Sequence, residues 1–223
     1  MMMKTIIYLN SLWLVVAVGL VLTTGARAQN PAMGIIDPVL GQSAQAAVQK
    51  MGVEMMKGNF KYGHEHMYPR WKRRLAKRYG GMERLEKGLE ASAQKQVQLG
   101  MRVIGYQAGV PTSAFTVWRA KKRDPKTGEI VLDATGRETI VDHWLVVVPT
   151  TTRVSIPDKQ VPGKNYVLEE KSYTLAISEK GSQEWHFLTG MKPTIQDLRS
   201  LFPSLPPKEE DLGLPAPSAV EIK

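Results

Sequence analysis

The chain has no cysteine among its 223 residues. That excludes disulfides, thiolate zinc sites, a cysteine nucleophile and lipid attachment through a lipobox, and it leaves packing alone to hold the fold. A Gly-rich phosphate loop after a strand and a G-x-S-x-G elbow are missing too, so nucleotide-binding and serine-hydrolase readings fail. HExxH does not occur. In His64-Glu65-His66 the imidazoles stand two residues apart, which on a helix turns them about 200° from each other, so they do not converge on one ion. The expectation is no metal and no cofactor. No internal repeat is visible, and no uninterrupted apolar run reaches the roughly 20 residues that cross a bilayer.

What is present begins with a leader. Lys4 precedes an apolar stretch over 12–22, and Ala26-Arg27-Ala28 supplies small residues at cleavage positions, the pattern of a secretory signal peptide over 1–28. The alternative is an uncleaved N-terminal helix over 6–22 acting as a membrane anchor, although Asn10 and Ser11 interrupt that run. Export would place the protein in a periplasm or outside the cell. The chain carries a net charge of +9. Removing Lys4 and Arg27 lowers it by two and leaves it basic, which favours acidic partners such as an anionic glycan or a lipid surface. Nucleic acid is not an expected partner of an exported protein.

Residues 29–40 read as an extended lead-in broken by Pro31, Gly34 and Pro38. A single domain is expected over 41–203, with a Pro-rich tail over 204–223. Ala44, Val48, Met51 and Met55 recur at helical spacing, and Gly58 ends that helix. Asn59 is expected to cap a second helix bearing Phe60, His64 and Met67. Pro69 opens a third over 70–79, stopped by Gly80-Gly81, which reads as a helix end needing positive φ. Met82, Leu85, Leu89 and Ala93 mark a fourth, ended by Gly100. Strands are expected at 101–108, 114–121, 138–148, 166–178 and 184–189, pairing antiparallel, with a hairpin insertion near 122–138. Within 171–190, Tyr173, Leu175 and Ile177 share one face, and Trp185 and Phe187 share another across a turn. A short helix over 194–201 closes the domain. Pro203, Pro206, Pro207, Pro215 and Pro217 argue for an irregular tail.

Helices first and antiparallel strands after them specify an α+β domain, its N-terminal helices packed in a curved antiparallel sheet and covering one face of it. Several pieces then fall in a particular order: Met67-Tyr68-Pro69 after the helix pair, Gly80-Gly81 before the amphipathic helix, and Val148-Pro149-Thr150-Thr151 closing a long strand. The hairpin over 172–190 and Leu201-Phe202-Pro203-Ser204-Leu205-Pro206 complete the series. Together they resemble bacterial exported proteins of the nuclear transport factor 2-like superfamily over roughly 41–215. The resemblance implies a cone-shaped fold with a pocket at its open end, where His64, Tyr68, Trp118 and Trp144 are the expected lining. It implies no single function, since such cones host isomerases, dehydratases, epoxide hydrolases and members that only bind or assemble.

Enzymes of the superfamily that this chain resembles hold a carboxylate base with a tyrosine or a second acid, or a carboxylate and histidine pair. The nearest local candidate is Val141-Asp142-His143-Trp144. Strand alternation sets Asp142 and Trp144 on one face and His143 on the other, so acid and imidazole do not face a pocket together. An isomerase or hydrolase would draw on Asp142, His64 or His143, with Tyr106 or Tyr173 as hydrogen-bond donors. The packing alternative leaves Asp142 near the exposed end of its strand, His143 partly buried, and His64 in a wall beside Phe60 and Met67.

The third helix carries six cations, Arg70, Lys72, Arg73, Arg74, Lys77 and Arg78, opposite the stripe Trp71, Leu75 and Tyr79. Such an amphipathic basic helix either meets an anionic surface or simply faces water over a buried stripe. Met51, Met55 and Met56 read as core or groove lining. No convergent acid, base and nucleophile emerge. The leading expectation is therefore an exported, non-catalytic module that binds a small apolar ligand or an envelope protein through its pocket or open sheet face. An enzyme and an anionic-surface protein are the alternatives, and a homodimer formed through the sheet is open.

Overall fold

The structure, a computed structural model, describes residues 36–222 other than 125, 126, 128, 159, 160 and 162, with the main chain alone at 118–120. The expected signal peptide and residues 29–35 of the lead-in lie outside the described residues. Four helices come first: α1 (Pro38–Met56), α2 (Lys61–Glu65), α3 (Pro69–Tyr79) and α4 (Met82–Gln98). α1 starts inside the segment read as a lead-in. Pro38 occupies its first turn, where a missing N–H costs nothing, and the Asp37 carboxylate accepts the N–H groups of Val39 and Leu40 at 2.8 and 3.0 Å. Asn59 does not cap α2, because its amide donates to Glu54 at 2.8 Å and Phe60 takes the cap position. α3 opens on Pro69 and closes on Gly80 at φ 77°, a left-handed cap that glycine adopts without steric cost. Among the described residues no helix is long and apolar enough to cross a membrane.

The second half forms one open antiparallel sheet of β1 (Arg102–Ala108), β2 (Ser113–Lys121), β3 (Ile140–Pro157), β4 (Asn165–Glu179), β5 (His186–Phe187) and β6 (Ser218–Ile222). The fold is α+β. β3 runs past Val148-Pro149, where the sequence suggested an end. A mid-strand proline is tolerated when its absent N–H faces an unpaired edge. That condition holds here because β1 pairs with 150–155 and β2 with 140–147, which leaves a break opposite Pro149. At the break the N–H groups of Gly109 and Thr112 reach the carbonyls of Pro149 and Val147 at 2.8 and 3.0 Å. β5 spans two residues instead of 184–189, and the insertion before β3 is held by bridges between Arg123 and Ile130 and between Leu132 and Glu138.

The tail is not irregular. A 3₁₀ turn (Glu209–Leu212) buries Leu212, Ser113 Oγ donates to the Leu212 carbonyl at 2.6 Å, and β6 pairs with β4. The prolines obscured these elements because each lies just outside one. Helices also cover both faces of the sheet, not one. Successive strand residues point to opposite faces, and all of 145–148 is buried. Leu145 and Val147 join Trp71, Leu75, Leu85 and Leu198 in one cluster, while Val146 and Val148 join Ala44, Val48 and Phe187 in another. Each fully buried aliphatic or aromatic side chain is worth about 1.5–3 kcal/mol, so both faces contribute.

α3 and α5 (Ile195–Leu201) are locked together around Asp197. Its carboxylate, 6 % exposed, meets Arg78 and lies 3.6 Å from Arg74. It also accepts the Thr194 N–H and hydroxyl at 3.1 and 3.0 Å, while the Asp197 N–H donates to the Thr194 hydroxyl oxygen, completing a capping box. Arg70 and Arg74 reach the carbonyls of Leu201 and Asp197 at 2.9 and 3.1 Å. Burial alone would raise the Asp197 pKa, but the bonds from Arg78 and Thr194 prevail and hold it below the usual carboxylate value. Asp197→Ala removes the cap and strands the arginines, so a loss of about 3 kcal/mol in urea unfolding at neutral pH is expected. Because the folded pKa is depressed, that stabilisation is present above the unfolded value near 3.8 and fades as pH falls through the folded one. The gap between wild type and variant should therefore close in strong acid.

Candidate functional site

A cavity of ≈ 510 Å³ lies between the first helices, α4 and the middle of the sheet. The C-terminal end of α1 supplies Met51 and Met55, α2 supplies His64, α4 supplies Leu89 and Ala93, and the segment after β5 supplies Leu188 to Pro193. Its floor is polar: Thr150 and Thr152 on β3 and Ser172 and Thr174 on β4. The threonine run 150–152 of β3 was the signal in the sequence that could have announced this floor, since β-branched hydroxyl residues suit a strand and every second one offers its polar group to the same face.

Tyr106 reaches this cavity from β1 across the backbone of α1. Gly52 makes the passage possible, because a Cβ built there would stand 1.8 Å from Tyr106 Cδ1. Gln49 and Gln45 of the same helix secure the strand edge. Gln49 accepts the Ala108 N–H at 2.8 Å and donates to the Tyr106 carbonyl at 3.2 Å, and Gln45 donates to the Ala108 carbonyl at 2.9 Å. The Tyr106 hydroxyl is buried and has no hydrogen-bond partner among the described residues. Burial pushes its pKa up to about 12, only partly opposed by the hydroxyls of Thr174 and Thr150 beside it.

Of the residues expected from sequence, His64, Tyr106 and Tyr173 therefore meet at one cavity. Burial and the Lys72 charge lower the His64 pKa, and burial, aided by Glu209, raises that of Tyr173, whose ring lies under Lys192 Nζ at 5.1 Å. The other expected residues go elsewhere. Tyr68 is core, its ring 5.7 Å from that of Phe202. Trp144 packs on the α1 side of the sheet with Lys180 Nζ 4.9 Å over its ring. The Trp118 side chain is outside what is described. Asp142 precedes Thr150 by eight residues on β3, about 26 Å along a strand, and the adjacent His143 lies near His186.

The histidines of the second helix diverge as their spacing requires. His64 faces the first cavity. Glu65 and His66 line a larger one of ≈ 840 Å³ with Lys50, Glu184 and His186. There His66 stacks on Tyr62 at 3.9 Å and its Nδ1 lies 2.9 Å from the Tyr62 carbonyl. Among the described residues no group of three or more His, Asp or Glu could hold a metal ion.

The basic helix is largely committed within the molecule. Arg70, Arg74 and Arg78 bind α5 as described, and Lys72 pairs with Glu86 at 2.9 Å. Arg73 and Lys77 remain exposed. Searches against protein-family models, curated proteins and solved structures find no match to this chain.

Two outcomes follow for the site. Gly52→Ala should cost about 1–3 kcal/mol in place of the gain that alanine usually brings to a helix, and fluorescence or NMR should report a displaced Tyr106. Burial lowers the pKa of His186, helped by the charges of His66 and His143, and that of His64. Both folded values lie below 6.5, so the unfolded chain takes up these protons first. Stability should hold above pH 6.5 and decline as pH falls through the folded values, and His186→Gln should flatten that decline in pH-dependent urea melts.

Proposed function

We propose that this chain is an exported, non-catalytic binding module of the nuclear transport factor 2-like type, which holds a small amphipathic ligand in the cavity under α4. The observation that carries the reading is the Tyr106 hydroxyl, buried at the cavity beside Thr150 and Thr174 with no well-formed hydrogen bond among the described residues. An unmade hydrogen bond at a buried polar group costs on the order of 1–3 kcal/mol, and a ligand offering an acceptor recovers it. Apolar walls from Met51, Met55 and Leu89 facing a floor of hydroxyls suit a molecule with an apolar body and a polar group. Binding is favoured over an isomerase or hydrolase because Asp142 and His143 are far along β3 from His64, Tyr106 and Tyr173, while acid–base chemistry needs hydrogen-bond reach, and the carboxylate that does border the cavity, that of Glu170, is exposed to solvent. Helices before an antiparallel sheet, with a cavity between them, support the cone resemblance.

Removing the hydroxyl separates a ligand contact from a structural bond. Tyr106→Phe should leave urea stability unchanged or slightly higher, while any small molecule that native mass spectrometry finds on the purified wild type should bind about tenfold more weakly. A loss of 1 kcal/mol or more in stability, with binding intact, would mean that the hydroxyl serves the fold.

A further inference from the structure

The fourth strand of the sheet is built from two separate pieces with a hole between them. β5 pairs with Ala176 and Ile177 of β4, and β6 pairs with 167–171. Both run antiparallel to β4, so they form successive stretches of one interrupted strand. Leu188 extends β5 by one bond, its N–H reaching the Leu175 carbonyl at 3.1 Å. Among the described residues no strand lies beside Ser172 to Thr174 on that edge.

The direction of the main chain at the hole is fixed by register. In an antiparallel ladder the N–H and C=O of one residue point to the same side, and the side alternates along the strand. β4 pairs with β3 from 165 to 179 without a register shift. Because the Leu175 carbonyl points toward β5, both polar groups of Tyr173 point to the same edge, into the hole. That hole opens on the cavity already described. Ser172, Tyr173, Thr174 and Leu175 all line it, and four consecutive strand residues border one space only where the edge of the strand, and not a face, forms the wall.

We propose, resting on the binding reading above, that the ligand is a short extended peptide segment, one residue of which completes the interrupted strand. That residue's N–H donates to the Tyr173 carbonyl and its C=O accepts from the Tyr173 N–H, the segment running antiparallel to β4 between β5 and β6. The hole from Lys171 to Leu175 spans about 13 Å at strand rise, room for two extended residues. The groups beside that residue would meet Leu188 and Leu89 on one side, and Met55 and Tyr106 on the other. This is strand addition on the scale of one residue, with main-chain bonds supplying affinity and the cavity walls supplying choice.

The test uses the full chain and three probes: N-acetyl-leucine N-methylamide, the same molecule N-methylated at the leucine nitrogen, and its depsipeptide, in which an ester oxygen replaces that N–H. Binding is followed by ¹⁵N NMR and calorimetry. The expected result is that the parent peptide shifts the Tyr173 amide downfield and binds at least tenfold more tightly than either analogue. Equal binding of all three in the cavity would overturn the amide assignment and leave the binding reading standing. Binding of none would overturn this proposal and leave the binding reading to its own test, and tighter binding that leaves the Tyr173 amide unmoved would place the peptide elsewhere and overturn this proposal as well.

Discussion

The central constraint is a strand buried on both faces. Leu145 to Val148 of β3 are each at or below 1 % exposure, and since neighbours along a strand point in opposite directions, no single layer of helices can cover them. α1 packs on one side, and α3, α4, α5 and the C-terminal segment pack on the other. From this division the rest follows. α1 must cross the edge of β1, which it does by offering two glutamines to the open main chain and a glycine to the ring of Tyr106. α4, committed through Leu85 and Leu89 to the opposite side, runs on from that core past Ala93 with an exposed second half, and the cavity lies beneath it.

The polar interactions divide by purpose. Those around Asp197 join two elements that also share the core through Trp71, Leu75, Leu198 and Leu201: a helix rich in arginine and a seven-residue helix that would not be stable alone. Three arginines at successive turns of α3 serve that joint, so much of the charge that made this helix conspicuous is used internally. The Tyr106 hydroxyl and the edge at Tyr173, both without a partner among the described residues, stand in contrast, and both border the same space. In a fold that satisfies its other buried polar side chains among the described residues, the coincidence of these two in one cavity is what gives the cavity its interest.

Much of this architecture was legible in the amino-acid pattern, because helical periodicity in Ala44, Val48 and Met51 and the proline and glycine limits of α3 are local signals. The limits of β3 and β6 were not legible, since what permits Pro149 in mid-strand is a break in a different strand, and what orders the tail is a partner some fifty residues earlier in the chain. His64, Tyr106 and Tyr173 could be named as candidates by residue type. That Tyr68 would be core depended on how α3 docks, and that Trp144 would pack partly buried on the α1 side, with Asp142 far from the others, depended on register. The hole in the fourth strand is a property of pairing between distant segments and leaves no mark on the sequence near Tyr173.

The most direct measurement of the central claim is residue-resolved hydrogen exchange on the free protein. The amides of Glu169, Tyr173 and Ile177 all point to the same edge of β4, the first opposite β6, the last opposite β5 and the middle one at the hole. Tyr173 should exchange at least a hundredfold faster than the other two. Protection of Tyr173 equal to that of Glu169 and Ile177 would mean that the strand is complete within the protein itself, and would contradict the account.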